Sequence, residues 1–127
     1  MAFSAAYEIA AEFEQAATQL DEALRIVERT GVRWLTAELK RRKGQLLLRQ
    51  GNSEAAEELY RKALSIAAEQ AAKLWELRTA GSLAWLWCDQ GKRAEARDLI
   101  APIYGWFTEG FDTPDLKEAK ALLDELA

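Results

Sequence analysis

The feature that most constrains the fold of this chain is an internal correspondence at an offset of 40 residues. With the chain shifted by 40, Gln50-Gly51 falls on Gln90-Gly91 and Ala23-Leu24 falls on Ala63-Leu64, without a gap. A repeated unit of small and apolar residues cannot bury its apolar face alone, so neighbouring units stack. The alternative is a generic helical bundle in which the period arises by chance. Further matches are Ala16, Ala56 and Ala96, Ile26 and Ile66, and Leu46 and Leu86.

Helix-favouring residues dominate the chain, and apolar residues recur every three or four positions, as in Leu20, Leu24 and Val27. This spacing predicts an all-α protein with helices at about 4–30, 33–50, 53–70, 73–90, 93–107 and 114–126. We expect a single domain over residues 1–127. Its fold class is a short α-solenoid of antiparallel helix pairs with a capping helix at the carboxyl end. The expected units are 4–30 (partial), 33–70, 73–107 and the cap 114–126.

The helix ends carry recognisable signals. Gly31, Gly51 and Gly91 each follow an amphipathic stretch and predict helix termini in the left-handed conformation. Ser53 is expected to cap the third helix, and Thr113-Pro114-Asp115 to start the last one. Pro102 lies inside the fifth helix and is expected to bend it.

The stretch from Ala37 to Ala68 resembles a tetratricopeptide repeat. The residues that carry the resemblance are Gly44, Leu47, Gly51, Ala56, Tyr60 and Ala63. The next unit fits more loosely, through Leu83, Ala84, Trp87, Gly91 and Ala96. Lys40 and Lys43 depart from the motif, which usually has large apolar side chains there. The resemblance implies stacked helix pairs and a role in binding other proteins.

A second resemblance covers most of the chain, and its most specific segment runs from Tyr104 to Lys117. With Leu74 to Arg78 and the stretch around Gly44, this segment is similar to the carboxyl-terminal repeat tail of large bacterial regulators. Those regulators join a nucleotide cyclase or DNA-binding head to a predicted ATPase. The resemblance implies a sensor or scaffold region, and neither enzymatic activity is carried over.

Composition argues against catalysis. The chain has no His and a single Cys, so an imidazole base, a His-containing metal site and an internal disulfide are excluded. Adjacent carboxylates such as Glu57-Glu58 do not face each other on a helix. Cys88 beside Asp89 is expected to be an inert thiol. We therefore expect no enzyme, no cofactor and no metal.

Net charge and hydropathy argue against binding to nucleic acid and against insertion into a membrane. The formal net charge of -4 disfavours nucleic acid, even though Lys40 to Lys43 form a basic run. The uncharged runs are about half the roughly 20 residues that a membrane span needs. No secretory signal is visible at the amino terminus, so a cytoplasmic protein is expected.

One polar sector of the second helix predicts a binding groove. At 100° per residue, Glu38, Arg41, Arg42, Gln45 and Arg49 lie within roughly 100° of one another, opposite the apolar arc. Their counterparts 40 residues later are Arg78, Gly81, Trp85 and Asp89. The first helices of stacked repeats line the concave surface, so these residues are expected to bind a protein or peptide partner. The arginines suit an acidic partner. A merely solvated face is an equally open interpretation.

The aromatic residues suggest a rival function and a second surface. Trp75, Trp85 and Trp87 could line a small-molecule effector pocket, while Trp106, Phe107 and Phe111 are expected to cap the core. The first helix lacks a clear partner helix, which leaves an apolar surface for pairing with another copy. We therefore expect a homodimer that self-associates through Phe3, Tyr7, Ile9 and Phe13.

Overall fold

The computed structural model describes residues 2–31 and 35–127, with side chains of the first helix from Glu12 onward. These residues form α1 (Ala2–Thr30), α2 (Thr36–Arg49), α3 (Ser53–Glu69), α4 (Lys73–Asp89), α5 (Arg93–Gly105) and α6 (Pro114–Leu126). No strand occurs in the described ranges. The all-α prediction is confirmed, and the observed helix bounds agree with the predicted ones to within three residues.

Three tight turns of the same kind connect α2 to α3, α3 to α4 and α4 to α5. In the first, Gly51 has φ +85° and the amide of Asn52 donates to the carbonyl of Leu47 at 2.9 Å. Gly91 has φ +82° in the third turn. The middle turn places Ala71 in the same left-handed region, at φ +53°. Because these connections are so short, consecutive helices pack antiparallel.

The cap of α3 differs from the prediction. The side chain of Asn52, rather than Ser53, accepts a hydrogen bond from the amide of Ala55 at 3.3 Å. Asn52 is the residue that leaves the left-handed turn, so its side chain faces the unpaired amides of the first helical turn.

Small residues allow the helices of each pair to approach closely. Ala56 and Tyr60 of α3 are buried, and a Cβ added at Gly44 of α2 would lie 2.7 Å from Cε1 of Tyr60. The corresponding residues of the next pair, Ala84 and Ile100, are fully buried in the largest core cluster. In each pair, a small residue on the first helix therefore leaves room for a large side chain on the second.

The helix α6 completes the core at one end of the stack. Its buried face packs against α4 and α5, in one cluster with Leu77, Ala84 and Ile100. The capping role of the aromatic residues is only partly as expected. Phe107 packs on the core, but Trp106 is 59% exposed and Phe111 is 46% exposed. The buried residues of α6 are Leu116, Ala119, Leu122 and Leu126.

At the other end, α1 packs on α2 through its second half. Leu24 and Val27 form a small cluster with Leu39 of α2, and Lys43 pairs with Asp21. Lys43, which departs from the repeat motif, thus anchors α1 through an ion pair instead of an apolar contact.

Candidate functional site

The helices α2, α4 and α6 line one face of the stack and enclose a cleft of about 290 Å³. Each helix contributes polar residues at its surface and leucines beneath them. The lining residues are Arg41, Gln45, Leu48, Arg49, Tyr60, Leu77, Arg78, Gly81, Ser82, Trp85, Leu86, Asp89, Asp115, Glu118, Ala119 and Leu122.

The structure brings six of the eight residues predicted for the groove to this cleft: Arg41, Gln45, Arg49, Arg78, Trp85 and Asp89. Gly81, the counterpart of Arg41, also lines it. Glu38 and Arg42 are not among the lining residues. The side chain of Arg42 is 61% exposed, whereas Glu38 is only 2% exposed. Because Glu38 is buried, it can affect a partner only by positioning the arginines that it hydrogen-bonds.

Glu38 organises the arginines of the cleft. Its carboxylate accepts hydrogen bonds from Nε and Nη2 of Arg41 at 2.9 and 2.6 Å, and from Nε of Arg42 at 3.2 Å. The guanidinium of Arg78 lies 3.5 Å away. Burial raises the pKa of Glu38, but the hydrogen bonds from Arg41 and Arg42 and the charge of Arg78 outweigh it, so the pKa lies below its ordinary value. Glu38 is therefore an ionised anchor at neutral pH.

Arg78 connects α4 to α6. Its Nε and Nη2 donate to the two carboxylate oxygens of Asp115 at 3.1 and 2.8 Å. The same guanidinium lies 4.7 Å from the ring centroid of Trp75. The hydrogen bonds to Asp115 raise the pKa of Arg78 despite its partial burial. A bidentate pair of this kind fixes geometry as well as charge, so Arg78 is held in place on both sides.

The inner wall of the cleft combines a buried phenol with a guanidinium whose side chain is 12% exposed. Nη1 of Arg41 donates to the hydroxyl of Ser82 at 3.3 Å, which ties α2 to α4. Tyr60 reaches the cleft from α3 with only 1% of its surface exposed. Burial raises the pKa of Tyr60, partly offset by the charge of Arg41, so its hydroxyl stays protonated at neutral pH. The wall therefore offers fixed hydrogen-bonding groups and no titrating base.

Three charged side chains of the cleft are unpaired among the described residues. They are Arg49 on α2, Asp89 on α4 and Glu118 on α6, and none has an ion-pair partner in the part of the chain that the structure describes. All three are exposed. These side chains, unlike those of Arg41 and Arg78, can pair with a bound molecule without breaking an internal ion pair.

Sequence reasoning missed the contribution of α6. Asp115, Glu118 and Leu122 follow a spacing of three and four residues, which places them on one side of the helix. This spacing is the signal that could have indicated a second exposed face of α6, although the apolar residues of the helix predict only a cap for the core. The same helix closes the core with one part of its surface and lines the cleft with the other.

The three tryptophans proposed for an effector pocket do not line a common cavity among the described residues. Trp85 lines the cleft, whereas Trp87 lines a separate cavity between α3 and α5. The indole nitrogen of Trp87 donates to Glu57 at 2.7 Å, and this bond lowers the pKa of Glu57. Trp75 packs beside Ala63 and Ala67. Trp75 and Trp87 therefore make structural contacts, and only Trp85 stands at the cleft.

The remaining predictions concern Cys88, metal binding, membrane spans and self-association. Cys88 is half-buried against the main core cluster. The described side chains contain no group of three or more carboxylates or thiols placed to hold a metal ion. No helix in the described ranges has the length and apolar character needed to span a membrane. Of the self-association residues, Phe13 is half-buried, and Phe3, Tyr7 and Ile9 lie outside the described side chains.

Comparison with known proteins adds one finding. A family model described as the tetratricopeptide repeat matches residues 2–69 and again residues 35–100. The second match covers α2, α3 and α4 and the first part of α5. Neither a curated protein nor a solved structure matches the chain. The repeat match overturns the alternative of a generic bundle with a chance period.

Proposed function

Because the chain belongs to the tetratricopeptide repeat family, we propose that it takes a segment of a partner protein into the cleft between α2, α4 and α6. Tetratricopeptide repeats are generally protein–protein interaction modules and typically non-catalytic scaffolds. Binding in the cleft, with no catalysis, is the form of that general role proposed for this chain.

The observation that carries the proposal is the position of Trp85. The side chain is 43% exposed and stands at a cleft whose inner wall is otherwise formed by buried leucines, Tyr60 and paired arginines. Tryptophan and arginine are enriched among the residues that dominate binding energy in protein interfaces. Trp85 therefore provides the apolar anchor, and Arg49 provides an available charge in the same cleft.

The rigidity of the arginines supports the same function. Glu38 holds Arg41 on α2, and Asp115 holds Arg78 on α4, so the wall of the cleft is ordered before a partner arrives. Preorganised groups lose less conformational entropy on binding than mobile ones. The proposed partner accordingly meets a fixed surface, with freedom confined to the unpaired charges.

Two further proposals concern the oligomeric state and the location of the protein in the cell. A homodimer through α1, with Phe13 among its contacts, is tested by light scattering at micromolar concentration, where a monomer would contradict it. A cytoplasmic location is tested by fractionating the source cells, where recovery outside the cytosol would contradict it.

The binding proposal is tested by affinity capture with three purified forms of the protein. Trp85→Ala removes the anchor, and Arg49→Glu reverses an exposed, unpaired charge. We expect both to reduce capture of the same partner from source-cell lysate by at least tenfold, with helicity by circular dichroism unchanged. Reversal of Arg41 is unsuitable, because it would leave Glu38 buried beside another carboxylate.

Trp106→Ala is the matched control. Trp106 is 59% exposed but is not among the residues that line the cleft, so its removal should leave capture unchanged. Equal capture by the wild type and the Trp85→Ala protein would refute the assignment of the cleft. Loss of capture only with Trp106→Ala would move the binding surface to the connection between α5 and α6.

A further inference from the structure

The charges that line the cleft change sign from one helix to the next. The α2 side presents two cations, Arg41 and Arg49. The middle helix α4 presents one charge of each sign, Arg78 and Asp89, and α6 presents two anions, Asp115 and Glu118. The lining charge therefore runs from positive through neutral to negative across the three helices.

Two of the lining arginines are neutralised by ion pairs within the protein, and the exposed charges of the cleft remain available. Arg41 is paired with Glu38, and Arg78 is paired with Asp115. Arg49 on α2 and the carboxylates of Asp89 and Glu118 remain without an ion-pair partner among the described residues. Arg49 and Asp89 lie at the carboxyl ends of α2 and α4, whereas Glu118 lies near the start of α6, three residues after the Asp115 that pairs with Arg78. A segment that runs diagonally from Arg49 past Trp85 to Glu118 therefore meets a cation at one end and an anion at the other.

We propose that the cleft selects an extended peptide segment of ordered charge, with an acidic side chain at Arg49, an apolar side chain at Trp85 and a basic side chain at Glu118. This inference rests on the proposed function and specifies the chemistry of its partner. It also refines the expectation of an acidic partner, because a uniformly acidic segment would place carboxylates beside Asp89 and Glu118.

The spacing of the charges follows from helix packing. Axes of contacting helices lie about 8–10 Å apart, so α2 and α6 are separated by roughly 16–20 Å across α4. An extended chain advances at most about 3.3–3.6 Å per residue. The pair between Arg78 and Asp115 sets Glu118 level with Gly81, about eight residues or roughly 12 Å along the helices from the level of Arg49. The acidic and basic side chains of the segment are therefore about six or seven residues apart, with the apolar residue near the midpoint.

The cleft has room for side chains of a segment whose backbone stays outside it. The cleft encloses about 290 Å³. An extended strand can insert one apolar side chain beside Trp85 while its backbone stays at the rim.

Charge order is tested with four pools of fluorescein-labelled nine-residue peptides that share a randomised apolar centre. One pool carries two glutamates at one end and two lysines at the other, and a second has the same composition with these charges interleaved. The third and fourth pools are uniformly acidic and uniformly basic. We expect fluorescence anisotropy to show the ordered pool binding about tenfold more tightly than each of the others. Equal binding of the ordered and interleaved pools would overturn the proposal.

A charge-exchange variant tests the residues assigned to the rim. Arg49 and Asp89 occupy equivalent positions 40 residues apart, and both are exposed. The double substitution Arg49→Asp with Asp89→Arg therefore preserves net charge and composition while it disrupts the order of charge. It should reduce binding of the ordered pool about tenfold and leave the melting temperature within a few degrees. Unchanged binding of that pool would overturn the assignment.

Failure of this inference is distinguishable from failure of the proposed function. If partner capture depends on Trp85 but the peptide pools show no preference for ordered charge, the cleft binds proteins and the inferred chemistry is wrong. If neither capture nor peptide binding depends on Trp85, both proposals are wrong.

Discussion

Replacing Gly44 by Ala should destabilise the protein by about 2 kcal/mol, whereas the same replacement at Gly81 should stabilise it. A Cβ at Gly44 would lie 2.7 and 2.9 Å from ring carbons of Tyr60 and 3.3 Å from the carbonyl oxygen of Ala56. Favourable contacts between carbon atoms lie at about 3.5–4.0 Å. The added methyl group therefore overlaps the ring by nearly 1 Å.

The magnitude follows from two opposing effects. Tyr60 is buried among Ala56, Leu83 and Leu86, so the ring cannot turn aside without disturbing the core. Overpacking of this kind costs about 1–3 kcal/mol, and an overlap with two ring atoms belongs near the upper end. Alanine gains back about 1 kcal/mol over glycine inside a helix. The net effect at Gly44 is therefore a loss of about 2 kcal/mol.

Gly81 is the matched control within the same chain. A Cβ there would meet only Cδ1 of Ile100, at 3.8 Å, which is an ordinary contact. The gain in helix propensity of about 1 kcal/mol is then unopposed. Urea unfolding followed by circular dichroism would measure both variants. A neutral or stabilising Gly44→Ala would refute the close approach of α2 and α3.

A double substitution tests the same reasoning by a different route. The second helix pair places Ala84 and Ile100 where the first places Gly44 and Tyr60. Gly44→Ala combined with Tyr60→Ile copies this arrangement and removes the overpacking, so its cost should be smaller than the sum of the two single costs by about 3 kcal/mol. Strict additivity would show that the methyl group and the ring do not collide.

Three further predictions concern other parts of the molecule. Ala71→Gly should stabilise the protein by about 0.5–1 kcal/mol, because it relieves a left-handed residue at φ +53°, and a loss of stability in urea would contradict this. Trp87→Phe should cost about 1.5 kcal/mol through loss of the bond to Glu57, whereas Trp85→Phe should cost almost nothing; equal costs in urea would contradict this. Glu38→Gln should cost about 3 kcal/mol at pH 7. The arginines lower the pKa of Glu38 from its ordinary value of 4.5, so its contribution is fully present above that pH and is lost as the pH falls through the lower value of the folded state. Stability of the variant should therefore fall less steeply than that of the wild type below pH 4.5, and parallel curves in acid titrations would contradict this.

The helices and their turns could be predicted because their signals are local. Gly51 and Gly91 supply the left-handed residue that ends a helix, and Pro114 supplies a first helical turn. Ala71 carries no such signal in its own residue type, yet the end of α3 was still predicted from the spacing of its apolar residues. Local chemistry and apolar spacing together determine where each helix begins and ends.

The groove could be predicted in part, because the residues of α2 and α4 that face it follow from helical spacing and the 40-residue offset. Arg49, Trp85 and Asp89 lie at the cleft for this reason. The same spacing includes Glu38, which lies on the predicted sector but is buried. Spacing gives the direction of a side chain around its own helix, and it says nothing about the depth at which a neighbouring helix covers it.

The amino-acid sequence by itself therefore determined six helices, their turns and a repeated pair that stacks. Only the tertiary structure decided that Glu38 lies beneath the arginines, that Trp85 and Trp87 line different cavities, and that Asp115 and Glu118 of α6 join the cleft. The physical reason is that these features depend on how helices far apart in the chain cross and how closely they approach. Such distances arise from the packing of all side chains together, so no single stretch of sequence contains them.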